Sequence, residues 1–319
     1  MKSKSPIFIC GEGRSGTKLL RDCLAKHPSL HTFRCESYFF VDSTFQKMRF
    51  IDEIDEIDLL IKAVLAGLLS KNKPSAERMI KTRKFDPEYD EYLADIKNLL
   101  NGQVEVDKFT LLDICANYLA EKNSKQRWIE KTPYHIYYIE KIKKFYPEAK
   151  FIINFRDPRA VVASWLKKDT NKTLLGVTST WNKVADKIAL IKESKLSNVY
   201  FMKYEDLISE PEKILKEICN FLEIEFNPCL LDVSVVNSFY QDQGKSGFLK
   251  DAIDRWKAVL SDEQAALIDL LSSKNRQKLG YSDSIQVSNK LRLSLAFFGE
   301  VLLLPVKKLT KLIKWVKVS

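Results

Sequence analysis

The sequence predicts an α/β fold in which a parallel β-sheet is covered on both faces by helices. Three observations predict it. Short, continuous apolar runs at 6–10, 150–155 and 198–203 have the length of strands and lack the alternation of a half-exposed one. Helical patterns separate these runs, so the strands are joined by crossovers and run parallel. The first two runs each break into a polar turn that opens a helix, and ligands of such sheets gather at the carboxyl ends of the strands. A chain of 319 residues with 45% hydrophobic content can bury a full core. It reads as one large domain over 1–285, with a helical insert near 45–125, followed by a tail over 286–319.

The first unit, Pro6 to Leu20, runs from a buried strand through a Gly/Ser/Arg loop into a helix. Backbone N–H groups freed at the helix N-terminus point into the turn, the helix dipole adds positive potential, and Arg14 adds a fixed cation. An anion is therefore expected on Gly13, Arg14, Ser15, Gly16, Thr17 and Lys18, in a P-loop-like cradle. A nucleotide-kinase loop needs Gly-Lys-Ser/Thr after its four-residue gap. Gly11 and Gly16 have that spacing, but Thr17-Lys18 stands in the reverse order, which turns the lysine by about 100° and takes the metal-binding hydroxyl out of register. Gly11, Gly13 and Gly16 also satisfy a dinucleotide fingerprint, with Glu36 where a ribose-binding acid is expected. Against that reading, the turn is cationic and the chain carries a second anion site.

Cys35-Glu36-Ser37 is expected to end the second strand, lying beside the first. Beyond it, isoleucine recurs at every third position over 51–57, Leu59 to Leu69 is strongly apolar, and helical patterns occupy 88–100 and 107–122. These segments are expected to cap an acceptor site, with the acidic face of 52–58 in water. The second anion unit is Phe151 to Trp165: Arg156 ends a strand, Pro158 suits a first helical turn, and Ser164 lies two turns along. Two strand-loop-helix units, each offering Arg and Ser, suit a ligand phosphorylated at two ends. Tyr204 follows the third apolar run, and both adenine contact and simple packing stay open for it.

The six cysteines form no Cys-x-x-Cys pair and have no histidines at metal spacing, so reduced thiols are expected, with no metal. No secretory signal precedes residue 6, which points to the cytoplasm. The net charge is +10, from 52 Lys and Arg against 42 Asp and Glu. No recognition helix, zinc pattern or aromatic-basic RNA motif accompanies it, and nucleic acid is not the expected partner. Part of the charge sits in the tail. Residues 291–304 are nearly all apolar but too short to span a bilayer, which takes about 20 residues. After Pro305, Val306, Leu309, Leu312, Ile313 and Val316 make one helical stripe with Lys308, Lys311 and Lys314 off it. The pattern fits an anionic membrane surface, at the inner face of a membrane, and equally a helix docked on its own protein.

Taken in order, Arg14-Ser-Gly-Thr17, Glu130-Lys-Thr-Pro133, Phe155-Arg-Asp-Pro-Arg159 with Ser164, Tyr204-Glu-Asp-Leu207 and Arg255-Trp-Lys257 resemble the PAPS-dependent sulfotransferases, most of all the bacterial and tyrosylprotein-like branch. The resemblance covers roughly 6–281 and lapses over 45–125 and after 285. It implies 3′-phosphoadenosine 5′-phosphosulfate (PAPS) as sulfuryl donor, without a metal. Arg14, Ser15, Gly16 and Thr17 would surround the sulfuryl group; Arg156 and Ser164 would hold the 3′-phosphate. Position 18 departs from the family, which has Thr or Ser where Lys18 stands. Lys245, in Gly244-Lys-Ser-Gly247, is the candidate for the basic loop that closes over the 3′-phosphate. Glu36 is the first candidate for the catalytic base, His135 its rival, and Lys131 matches a lysine that donates to the bridging oxygen. The acceptor would be a hydroxyl or amine on a small molecule, glycan or lipid-linked molecule. A kinase or a non-catalytic nucleotide-binding protein of the same fold are the alternatives.

Overall fold

The computed structural model describes residues 5–33, 36–41, 57–70, 78–79, 82–100, 106–234, 245–285, 292 and 294–302. Five strands, β1 (Ile7–Gly11), β2 (Leu30–Thr32), β3 (Arg127–Lys131), β4 (Lys150–Phe155) and β5 (Val199–Lys203), make one parallel sheet in the order β2-β3-β1-β4-β5. The expected apolar runs are β1, β4 and β5. Because side chains alternate along a strand, β1 feeds two cores. Phe8 and Cys10 pack on one face with Phe151 and Ile153, and Ile7 and Ile9 pack on the other with Ile152.

Helices α1 (Thr17–Ala25) and α9 (Pro211–Leu222) cover the second face. The first face is covered by α2 (Ile57–Leu69), α3 (Glu88–Leu99), α4 (Lys108–Lys122), α5 (Ile139–Phe145), α6 (Pro158–Lys168), α7 (Leu174–Glu193) and α10 (Asp262–Lys278), and the short α8 (Tyr204–Ser209) follows β5. The helical patterns expected at 88–100 and 107–122 are α3 and α4. Most of the isoleucine repeat, 51–56, lies outside the described residues, as does the basic segment 306–318.

One expectation is corrected. The second strand is not beside the first: β2 stops at Thr32 on the sheet edge, Glu36 and Ser37 lie beyond it, and β3 takes the place next to β1. Strand β3 has no apolar run because three of its five residues are charged, yet all five are buried. Each charge is met. Arg127 donates to the carbonyls of Ser5 and Leu222, Glu130 accepts from Ser37, and Lys131 donates to Glu36. A buried charge of this kind is tolerable only when paired.

An ion cluster fastens α10 to the start of α6. Arg159 lies 2.6 Å from Asp157, 3.6 Å from Asp269 and 2.5 Å from Asp283, and Arg276 lies 2.7 Å from Asp269. The Arg159 guanidinium also stacks 4.4 Å from the centre of the Trp256 ring. Beyond this cluster, residues 294–302 are helical. Among the described residues, no helix is long and apolar enough to cross a membrane.

Candidate functional site

The two strand-loop-helix units open side by side because β1 and β4 are neighbours in register, with Gly11 opposite Asn154. Their loops are then locked together. Glu12 N–H donates to the Asn154 carbonyl at 3.0 Å, and the Ser15 hydroxyl donates to the carbonyls of Glu12 and Asn154. Arg14 Nε donates to Ser164 Oγ at 2.9 Å, and Arg156 Nη1 donates to the Arg14 carbonyl at 3.3 Å. The approach is so close that Gly11, at φ +123°, could carry no side chain: a Cβ would sit 2.0 Å from the Asn154 oxygen.

A cleft of about 900 Å³ opens above these loops. Gly13, Arg14, Gly16, Thr17 and Lys18 line it, with Glu36, Lys131, Arg156, Ser164 and Tyr204. Ser15 is fully buried and braces the loop from below. Arg14 and Gly16 both adopt left-handed backbone, at φ 70° and 82°, a conformation found in backbone N–H nests. No side chain caps α1, so its first N–H groups stay open to a ligand. Helix α6 differs: Asp157 caps it through Arg159 N–H and pairs with the Arg159 side chain. Asp157 is thus spent on Arg159, and the groups this second loop presents to the cleft are the side chains of Arg156 and Ser164.

Arg156 lies over the Tyr204 ring, its Cζ 4.0 Å from the centroid, and donates to the Ala252 carbonyl at 2.7 Å. Its Nε is buried with no hydrogen-bond partner among the described residues. Tyr204 is itself pressed onto the first loop, so that a Cβ on Gly16 would stand 2.4 Å from its ring. Lys18 has its pKa lowered by burial, with Arg21 and Lys131 adding repulsion against the attraction of Asp22. Lys168 is also lowered by burial and by the charge of Arg14.

Glu36 is placed with Lys131. Its Oε1 accepts from Lys131 Nζ, and its Oε2 accepts from the Tyr38 hydroxyl at 2.6 Å. Tyr38, at φ 53°, holds a strained backbone at this point. Burial and then the Glu36 charge raise the Tyr38 pKa, so the phenol stays a donor. His135 goes elsewhere. It is fully buried between Phe8 and Phe40, its Nδ1 is 2.7 Å from Glu130, and it does not line the cleft. Burial works to raise the Glu130 pKa, but His135 and the hydrogen bonds from Thr132 and Ser37 outweigh it and leave the carboxyl below its ordinary value. Lys245 is exposed and away from the cleft wall, which Gly247 reaches instead; Gly244 lies outside the described residues.

Residues that sequence reasoning did not single out complete the cleft. Tyr38, Tyr134 and Tyr137 form an aromatic wall next to Glu36 and Lys131, and Ala66 and Gly67 of α2, with Ser70 just after it, line the same cleft. Glu12 is the least expected: an acid inside the anion loop, 4% exposed, with Oε2 lacking a partner among the described residues. Burial pushes its pKa up to about 8, against a smaller opposing effect of the Gly13 N–H. Its position between two glycines was a visible signal of loop geometry but not of burial.

The sequence profile of the Sulfotransferase family matches residues 6–228, so the chain belongs to that family. It is 26% identical over 264 residues to the omega-hydroxy-beta-dihydromenaquinone-9 sulfotransferase Stf3 of Mycobacterium bovis, covering 71% of this chain and 64% of that protein. It is 25% identical over 302 residues to protein-tyrosine sulfotransferase A of Caenorhabditis elegans, covering 89% and 69%. The chain thus spans a little under two thirds of the mycobacterial relative's length. Among solved structures, the sulfotransferase domain of the Synechococcus PCC 7002 olefin synthase shares the fold, with a TM-score of 0.55, 21% identity and coverage of 89% of this chain and 98% of that one.

Proposed function

We propose that this sulfotransferase-family chain uses PAPS to sulfate a hydroxyl or amine of its acceptor, releasing PAP. The observation that carries the reading is Arg156, whose buried Nε lacks a partner among the described residues while its guanidinium is held between Tyr204 and the Ala252 carbonyl. A fixed cation with an unspent donor, one loop away from the open N-terminus of α1, fits a nucleotide with charged groups at both its 5′ and 3′ ends. PAPS, when bound, supplies an activated sulfuryl group and a stable leaving group; the residues do the rest.

Sulfuryl transfer resembles phosphoryl transfer in needing in-line geometry and stabilised charge on a loose transition state. The α1 N–H groups and Thr17 would cradle the sulfuryl oxygens. Arg14, set by Ser164, would meet the charge that grows as the bond to PAP breaks. Glu36 would take the acceptor's proton as its oxygen or nitrogen bonds to sulfur. Lys131 and Tyr38 orient Glu36, and Lys131 would donate to the bridging oxygen that leaves with PAP. Arg156 and Ser164 would hold the 3′-phosphate. His135 is kept as a packing and pairing residue of β3 in this reading, and no metal is called on.

The aromatic wall beside Glu36 favours an apolar or aromatic acceptor. The similarity to a menaquinone-derivative enzyme and a protein-tyrosine enzyme supports hydroxyl acceptors of that character; the acceptor class proposed is a small molecule, a glycan or a lipid-linked molecule. Helices α2 to α4 would act as a cap that selects among them. The five described cysteines are free thiols. Calorimetric titration with PAP, with ADP and with ATP plus magnesium tests the reading. Tight PAP binding with weak ADP binding is expected; preference for magnesium ATP would return the loop to a kinase.

A further inference from the structure

The helix over 294–302 has its polarity turned inside out. Its only charged residue, Glu300, is 8% exposed and accepts a hydrogen bond from Gln264 of α10 at 3.3 Å. Its largest apolar residues face water instead: Leu295 is 62% exposed, Phe298 62% and Leu302 71%. These three stand at i, i+3 and i+7, which puts them in one stripe along a helix. A helix docked only for the stability of its own domain does the reverse, burying such a stripe and leaving the acid in solvent.

The residues after this helix indicate the kind of surface the stripe meets. From residue 303 onward there is no Asp or Glu, and Lys307, Lys308, Lys311, Lys314 and Lys317 are interleaved with apolar residues. A second copy of this chain would bring the same lysines and its own net +10 against them, so like charges would oppose the pairing. An anionic lipid surface satisfies both features, accepting the apolar stripe below its headgroups and attracting the lysines.

We propose that the 294–302 helix is a membrane-docking element, seating Leu295, Phe298 and Leu302 in the interface of an anionic bilayer. No described helix is long and apolar enough to cross a membrane, and the docking proposed is interfacial. Docking deepens the proposed function by favouring an acceptor dissolved in that bilayer; it rests on that reading for what is sulfated, but the binding itself does not.

The test is co-sedimentation of the full chain with phosphatidylcholine vesicles, with and without about a third phosphatidylglycerol. Expected are binding to the anionic vesicles, weakening in high salt, and a loss of about a hundredfold in partitioning when Leu295→Ser, Phe298→Ser and Leu302→Ser are combined. All three are exposed, so the variant keeps the fold, checked by an unchanged unfolding transition. Wild-type protein left in the supernatant, or a triple variant that pellets as well as wild type, overturns the proposal. So does a dimer in light scattering that the triple variant abolishes, since a second copy would then cover the stripe. PAP titration on the same preparations separates the two readings: vesicle binding without PAP binding would sink the catalytic assignment and leave the docking intact.

Discussion

Replacing Glu12 by Gln should stabilise the protein, and by an amount that depends on pH in a defined way. In the folded chain burial raises this carboxyl from the ordinary 4.5 to about 8. Below about pH 4.5 the folded and unfolded states both hold the proton, and nothing is lost. Between there and about pH 8 the unfolded state ionises while the folded state keeps its proton, so native stability falls as pH rises. Above about 8 both are ionised and the loss levels off. At ~1.36 kcal/mol per pH unit, the full cost is on the order of 4 to 5 kcal/mol. Glutamine keeps the shape and removes the ionisation. Urea unfolding of both proteins at pH 5, 6, 7, 8 and 9 should show a gap that opens in favour of the variant up to about pH 8 and then stays constant. A gap that does not vary with pH, or a wild type more stable at pH 9, would refute the reasoning. The groups facing Glu12 that could blur the profile are Tyr134 and Tyr137, whose own pKa values are raised chiefly by burial and then by Glu12, clear of this window. There is a functional counterpart. A carboxylate inside an anion loop repels the ligand, so PAP affinity should drop as pH rises through about 8 in the wild type and not in the Gln variant.

Five further outcomes bear on the cleft. Arg156→Ala and Ser164→Ala should each weaken PAP at least about tenfold while changing ADP little, by calorimetry; equal losses for both nucleotides would remove these residues from the 3′-phosphate. Arg14→Ala should lower kcat by about a hundredfold or more with a smaller change in KM for PAPS, since its charge matters most as the bond breaks; a pure KM effect would make it a positioning cation. Gly16→Ala should cost about 1–3 kcal/mol and most nucleotide binding, because the Cβ meets Tyr204 at φ +82°. Tyr204→Ala in the same chain should recover the steric part, and no recovery would mean backbone strain alone. Glu36→Gln should cut kcat by about two orders of magnitude or more. His135→Gln, buried against Glu130, should lower stability while leaving the pH–rate profile in place; a lost acid-side limb would reinstate His135 as the base.

The parts of the site that were legible in the sequence are those written in contiguous residues. The loop from Gly11 to Lys18 and the one from Arg156 to Ser164 announce themselves because an apolar run, a turn and a helix start follow one another within about fifteen residues. Neighbouring placement of the two loops was inferred from their shared chemistry, and the Arg14–Ser164 bond realises it. The pairing of Glu36 with Lys131 is a different case: the resemblance put both at the reaction centre, but the ion pair itself spans 95 positions and depends on strand order. That order was misread because β3 looks like surface. Its Arg127, Glu130 and Lys131 each find a partner from a distant segment, and no local pattern reports a distant partner. For the same reason nothing in the spacing showed that His135 turns into the core or that Glu12 is buried.

The ion cluster around Arg159 means that the working unit is longer than the segment matched by the family profile. That match stops at residue 228, yet two of the carboxylates that neutralise Arg159, Asp269 and Asp283, come from beyond it, and so do Trp256 and the Ala252 carbonyl that steadies Arg156. A chain cut at the profile's edge would leave a buried guanidinium short of counter-charge directly beneath the second anion loop. The region after 228 is thus a structural tenant of the cleft, and variation there, far from any motif, has a route to the geometry of Arg156.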